Sequence, residues 1–197
     1  MRTDLGSNPF IFPMPVLMIA TYGDNDEVDV MNMAWGGICG EKMIALNIAE
    51  SHKTSENIKK RNAFTVSIAD AAHVAEADYF GMISGKKIKD KFAKSGMHAE
   101  KSKFVDAPVV EEFPLALECK VLELQHYGSE FRVLGEIINV TADERILDNE
   151  RKVDPAKLDA LVFDTFNDGY YKVGDRIANA FDAGRDIIDR AGAHSGE

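Results

Sequence analysis

Residues 28–67 read VDVMNMAWGGICGEKMIALNIAESHKTSENIKKRNAFTVS, a pattern of strand, glycine-bearing loop, strand, short helix and strand. Val28, Val30 and Met31 carry an apolar run into Asn32-Met33-Ala34-Trp35-Gly36-Gly37. A second run, Met43-Ile44-Ala45-Leu46-Asn47-Ile48, follows directly. Ser51-His52-Lys53-Thr54-Ser55-Glu56-Asn57 then gathers hydroxyls, a cation and helix-start residues. Ala63-Phe64-Thr65-Val66 closes the unit as a strand with β-branched and aromatic content. Gly36 and Gly37 allow a close backbone approach or a positive φ, and Gly40 marks the next turn. A planar ring needs flat backbone and an aromatic wall; a phosphate needs hydroxyls and free amides. This one stretch offers both.

Outward from it, Pro9, Pro13 and Pro15 make the entry extended rather than helical. Val16–Tyr22 reads as a strand buried on both faces, and Gly23-Asp24-Asn25-Asp26 as the turn of a hairpin into Val28. The polar segment 54–62 predicts a short helix with Ser51 or Thr54 as N-cap and Ile58 facing inward. Residues 71–81 are helix-like, ended by Gly81 or Gly85, and a basic loop from Ser84 feeds a short helix near Phe92. Residues 94–109 read as loop. Two long strands follow, 115–127 and 131–142, split by Gly128-Ser129, with Glu118, Lys120 and Glu123 marking one wet face. A short helical piece at 155–161 and Tyr170-Tyr171 come next, and the polar end beyond Arg185 is expected to fray. Many strands at short spacing with only short helices predict a mainly β protein, a barrel with peripheral helices rather than a doubly wound sheet. No repeat or linker divides it, so residues 1–197 form one domain with its core over about 15–181 and a polar tail after about 185.

Composition narrows the partners. Lys and Arg number 23 against 33 Asp and Glu, a net charge of −10, which argues against nucleic acid and anionic membranes. No apolar run approaches the roughly 20 residues of a membrane span. The start MRTDLGSNPF has no apolar signal region, so the expected compartment is the cytoplasm. Cys39 and Cys119, without a CxxC, disfavour a disulfide scaffold and a zinc knuckle.

The histidines, His52, His73, His98, His126 and His194, lack metal-ligand spacing and read as surface or capping residues. Gly36-Gly37-Ile38-Cys39-Gly40 is not GxGxxG, so a Rossmann nicotinamide site is absent, and Ser-His-Asp catalysis has no elbow motif. Ser51, Lys53, Thr54 and Asn57 could hold a phosphate at a helix N-terminus, or could simply start a surface helix. Lys86, Lys87, Lys89 and Lys91 could close over such a phosphate, or could be solvated; their concentration in an acidic chain favours a role. Asn32 to Trp35 could line a flavin, or Trp35 could be a core residue beside a tight turn. Cys39 and Cys119 read as small packing residues rather than nucleophiles.

These residues resemble the flavin reductase-like proteins of the FMN-binding split-barrel fold, and within them the flavoredoxin group. The likeness runs from about Pro15 to Phe181. It rests on Pro15-Val16-Leu17, Asn32 to Cys39, Lys53 to Ile58, Glu76 to Gly81, Ser84-Gly85-Lys86 and Asp90-Lys91-Phe92, and on Asp106-Ala107-Pro108, Phe113-Pro114-Leu115, Leu117 to Lys120, Gly135-Glu136-Ile137 and Tyr170-Tyr171. The resemblance implies a six-stranded antiparallel Greek-key split β-barrel, a homodimer, and non-covalent FMN near the subunit interface. It implies that Asn32, Met33, Ala34 and Trp35 border the isoalloxazine, that Ser51, Lys53, Thr54 and Asn57 hold ribityl and phosphate oxygens, and that Ser84, Gly85 and Lys91 complete the pocket. Departures exist: His52-Lys53 stands where many relatives carry an aromatic or an arginine, and Gly40-Glu41-Lys42 where relatives often have Pro-Pro. The function expected is that of an electron carrier or flavin reductase, with NAD(P)H as a possible transient donor, no acid–base residue and a possible redox partner protein. The alternatives are a non-catalytic flavin-binding or sensor module, and a split barrel holding haem or another cofactor on a histidine such as His52 or His126.

Overall fold

The computed structural model describes residues 1–128 and 130–188. His194 and most of the tail expected to fray lie outside them. The strands are β1 (Met14–Pro15), β2 (Leu17–Tyr22), β3 (Val28–Met33), β4 (Gly36–Gly40), β5 (Met43–Ala49) and β6 (Ala63–Ile68). They continue with β7 (Ala99–Lys101), β8 (Pro108–Val110), β9 (Leu115–Tyr127), β10 (Glu130–Ala142), β11 (Leu161–Asp164) and β12 (Gly169–Lys172). Helices α1 (Lys53–Arg61), α2 (Val74–Met82), α3 (Lys91–Ser95) and α4 (Pro155–Leu158) decorate them.

One sheet of seven antiparallel strands runs β3-β2-β6-β9-β10-β5-β4. Its two edges, β3 and β4, are joined by just Ala34 and Trp35. Laid flat, the sheet would hold those edges roughly 29 Å apart at about 4.8 Å per strand, whereas the link can span about 11 Å. The chain itself therefore curls the sheet into a barrel, split where β3 parts from β4. The mainly β, split-barrel expectation is met, with seven strands in place of six. The added strand is β4, the glycine segment read as a loop. There Gly36 has ordinary negative φ and serves close approach: a Cβ would meet the Ala45 carbonyl oxygen and Leu46 Cδ2 at 2.9 Å.

Strand β2 shows why the inside is layered. Leu17 and Ile19 point into the barrel core with Met31, Leu46, Phe64, Val66 and Phe131. Val16, Met18 and Ala20 point the other way, against Val30 and the α2 residues Ala77 and Phe80. Alternation at period two places both sets, so β2 is buried throughout.

Three further details differ from the sequence reading. The N-cap of α1 is His52 rather than Ser51 or Thr54, because the Thr54 hydroxyl is taken by a tertiary partner. Residues 94–109 contain the β7–β8 hairpin. Glu118 is buried instead of wet, since Ser102 beside that hairpin and Asn139 on β10 both donate hydrogen bonds to it.

Candidate functional site

A cavity of about 160 Å³ opens where β3, the start of α1, the end of α2 and the loop before α3 converge. Its lining includes six of the residues expected from the sequence: Asn32, Lys53, Thr54, Ser84, Gly85 and Lys91. Asp29, His52 and Phe80 join them unannounced. Met33, Ala34, Trp35, Ser51 and Asn57 are not part of its wall.

The floor is a buried charge network. Thr54 Oγ1 donates to Asp29 Oδ2 at 2.7 Å. Lys91 Nζ lies 3.5 Å from Asp29 Oδ1 and donates to the Ile83 carbonyl at 3.0 Å. It also stands 5.9 Å from the centre of the Phe80 ring. Asp29 is 5% exposed and Lys91 3%. Burial lowers the Lys91 pKa, against the pull of Asp29 upward. A carboxylate and an ammonium hidden together hold each other in place, because either alone would be costly to bury. Gly85 is part of the same construction: a Cβ there would drive into the Asp29 carboxylate.

The mouth is basic. Lys53 and the α1 N-terminus meet there, with Lys86 outside the wall but close enough for its charge to act on His52, and no side chain caps that helix, leaving its first amides and dipole available to an anion. His52 lines the mouth with no hydrogen bond to its ring nitrogens among the described residues. Burial, then the charge of Lys91, lowers its pKa. Lys53 and Lys86 reach only loose partners, Asp24 at 3.9 Å and Glu56 at 3.5 Å. The Ser84 hydroxyl accepts from the Lys86 amide at 3.3 Å.

An aromatic run leads away from the floor. Asn32 Nδ2 donates to the Ala77 carbonyl at 2.9 Å and to Tyr170 Oη at 3.2 Å. Tyr170 in turn donates to Asp78 Oδ1 at 3.0 Å, and burial together with that carboxylate raises the Tyr170 pKa. The Tyr170 ring lies 6.0 Å from Phe163, and Phe163 lies 6.4 Å from Trp35. Trp35, half-exposed at 48%, is thus connected to the cavity by the surface of β11 and β12 and lines a separate groove with Phe10, Ile11 and Met14.

Of the residues outside the wall, Asn57 is wholly buried and donates to Thr21 Oγ1 at 3.0 Å, leaving its own Oδ1 unpartnered. Ala34 is buried, Met33 packs against the barrel core, and Ser51 is exposed in the turn before α1. Asp29 had one legible signal, a lone acid flanked by Val28 and Val30 in an apolar strand. His52 stood between two expected binders, Ser51 and Lys53, whereas Phe80 on α2 and Phe163 on β11 had no local signal, since only the fold brings those elements to the site. Among the described residues no group of His, Cys, Asp and Glu is placed to hold a metal ion.

The family model described as flavin reductase like domain matches residues 10–170. Flavoredoxin of Desulfovibrio vulgaris (Miyazaki F) superposes with a TM-score of 0.89 at 36% identity, over 93% of this chain and 100% of that one. Flavoredoxin from Methanosarcina acetivorans gives 0.86 at 26% identity, over 95% and 99%. An uncharacterised protein of Pyrococcus abyssi (strain GE5 / Orsay) is 26% identical over 137 residues, 68% of this chain and 77% of that protein.

Proposed function

The chain belongs to the flavin reductase-like split-barrel family, in its flavoredoxin group, and from that premise we propose that it is an electron-transfer protein holding one FMN non-covalently. A flavin-related redox function follows from the family. The choice of FMN and the role of carrier rest on the site. The observation that carries them is the cavity in which an uncapped α1 N-terminus and Lys53 form a mouth beside the Asp29–Thr54–Lys91 floor, with Lys86 next to it.

The donor set fits a phosphorylated flavin. Lys53, His52, Lys86 and the first amides of α1 meet the phosphate. The Thr54 O–H already donates to Asp29, so Oγ1 has only lone pairs left and accepts from a ribityl hydroxyl. Lys91 keeps a spare N–H for the same chain. The surface of Tyr170, Phe163 and Trp35 borders the ring, with Asn32 held at its edge. Ser84 and Gly85 close one side, and Gly85 lets the backbone lie against Asp29. When bound, FMN supplies the electron transfer. NAD(P)H as a transient donor, or a redox partner protein, supplies the electrons. The chain acts as a two-fold homodimer in the cytoplasm. No described helix is long and apolar enough to cross a membrane.

The absorption spectrum of the purified protein, followed by acid release and chromatography, tests this reading. Flavin bands and FMN in the supernatant are the expected result. FAD as the main species, a Soret band, or no chromophore uptake from added FMN would overturn it. Bound FMN that no nicotinamide and no chemical reductant can reduce would reassign the chain as a sensor module.

A further inference from the structure

Every residue from Tyr171 to Ile188 is exposed, although this segment follows β12 directly and carries large apolar side chains. Ile177 is 98% exposed and Phe181 103%, and Val173 is more than half so. These three sit at intervals of four, the spacing that aligns side chains on one stripe of a helix. The arm itself forms no regular helix from Val173 to Ala180, and a segment of this length is marginal as an isolated helix in water. A second apolar surface lies where the arm departs. Phe10 and Phe12 pack against Phe166, Phe12 packs against Tyr171, and all four rings remain about half exposed. Trp35 and Ile11 extend this patch. The arm leaves from its edge at Tyr171, and Ile177 and Phe181 stay fully exposed rather than covering it.

We propose that the arm of one copy, Val173–Phe181, docks on the aromatic patch of a second copy, so that each subunit covers the partner's Trp35. The proposal rests on the homodimer read above and deepens it. The patch and the arm together expose on the order of 1,000 Å² of apolar side chain, against the roughly 800 Å² per partner of a standard stable interface. Reciprocal exchange about a two-fold axis covers both surfaces at once, because the arm meets the patch and the patch meets the arm. A foreign partner would need to match two separate surfaces of one chain. Since Trp35 ends the aromatic run leading from the cavity, the site is complete only in the pair.

Trp35 is the single tryptophan of the chain, so its fluorescence reports directly on the patch. The experiment takes the full chain, freed of any flavin, at tens of micromolar. Mass comes from size-exclusion chromatography with light scattering, and Trp35 accessibility from acrylamide quenching. The wild type is expected to be a dimer with Trp35 shielded. Ile177→Glu with Phe181→Glu is expected to halve the mass and raise the quenching constant severalfold, with an unchanged far-ultraviolet circular dichroism spectrum. Ala183→Glu, off the stripe, is expected to stay dimeric. A monomeric wild type, a double variant that remains dimeric, a quenching constant unmoved by dissociation, or dissociation by Ala183→Glu would each overturn the proposal. None of these readouts uses flavin, so the flavin reading stands or falls separately on the absorption spectrum.

Discussion

The Thr54 hydroxyl donates a hydrogen bond to Asp29, with Oγ1 2.7 Å from Oδ2 and both residues almost wholly hidden from water. The bond decides what the cavity floor can do. A hydroxyl already donating can only accept from a ligand, and a carboxylate at its back repels a phosphate. On the proposed reading an anion therefore binds at the mouth, where Lys53 and the α1 amides stand.

Asp29→Asn leaves the Lys91 ammonium buried without its counter-charge. Unfolding in urea is expected to show a loss of about 3–5 kcal/mol. Asp29→Asn with Lys91→Met restores most of that, because no lone charge then remains inside. A single variant as stable as the wild type would mean that the pair is not buried in solution.

Thr54→Val and Lys53→Met separate floor from mouth. The first is expected to weaken FMN and riboflavin by similar factors, since Thr54 does not donate to the phosphate. The second is expected to weaken FMN on the order of tenfold more than riboflavin, the worth of one charge-assisted contact of about 1.5 kcal/mol. Fluorescence titration of the flavin-free protein measures both; a Thr54→Val effect confined to FMN contradicts the assignment.

Gly85→Ala forces a methyl into the Asp29 carboxylate, whereas Gly37→Ala meets nothing within 4 Å. Flavin affinity is expected to fall in the first variant and to stay near wild type in the second. Equal behaviour of the two would show that the Gly85 loop yields freely.

His52 gives the pH dependence. Its pKa in the fold lies below the ordinary 6.5, so the unfolded chain binds the proton more readily. Stability from this group is therefore present above pH 6.5 and lost as pH falls through the folded-state pKa. Thermal melts of the flavin-free protein should show His52→Gln losing less stability than the wild type below that pH. Bound phosphate opposes the neighbouring lysines and raises the pKa. The FMN affinity ratio of wild type to His52→Gln should accordingly be largest in acid and decline as pH rises. A ratio flat across this range would place the phosphate elsewhere.

Cys39→Ser is expected to leave FMN binding and reduction by nicotinamides unchanged. Cys39 is exposed on β4, while Cys119 is buried on β9 with its pKa pushed up to about 12 by burial and then Glu118. Strands β5 and β10 lie between them, and Cys119 packs in the barrel core while Cys39 is exposed, so the two thiols do not meet. Stopped-flow reduction slowed a hundredfold in the variant would show that the thiol takes part.

Much of the barrel could be read along the chain. The continuous apolar run Val16–Tyr22, the turn at Asp24-Asn25 and the long pair read as 115–127 and 131–142 are local patterns, and these strands form where their residues predict, to within one residue. Gly36–Gly40 was misread because glycine signals a loop locally, while its reason here, the Ala45 and Leu46 atoms pressed against Gly36, belongs to the neighbouring strand. Glu118 was misread likewise: it was read on a wet face with Lys120 and Glu123, which are exposed, but Ser102 and Asn139, distant in sequence, bury Glu118 itself.

For the site, the sequence by itself determined the donor types and their grouping: Lys53 and Thr54 at a helix start, Ser84, Gly85 and Lys91 in a basic loop, Asn32 at a strand end. Only the tertiary structure decided their roles. The Asp29–Thr54 bond spans 25 residues and the Lys91–Asp29 pair 62, and neither separation leaves a periodic trace in the chain. Hydrogen-bond direction and charge burial depend on which atoms meet across folded strands. The order of residues fixes what each can donate or accept, and the packing fixes to whom.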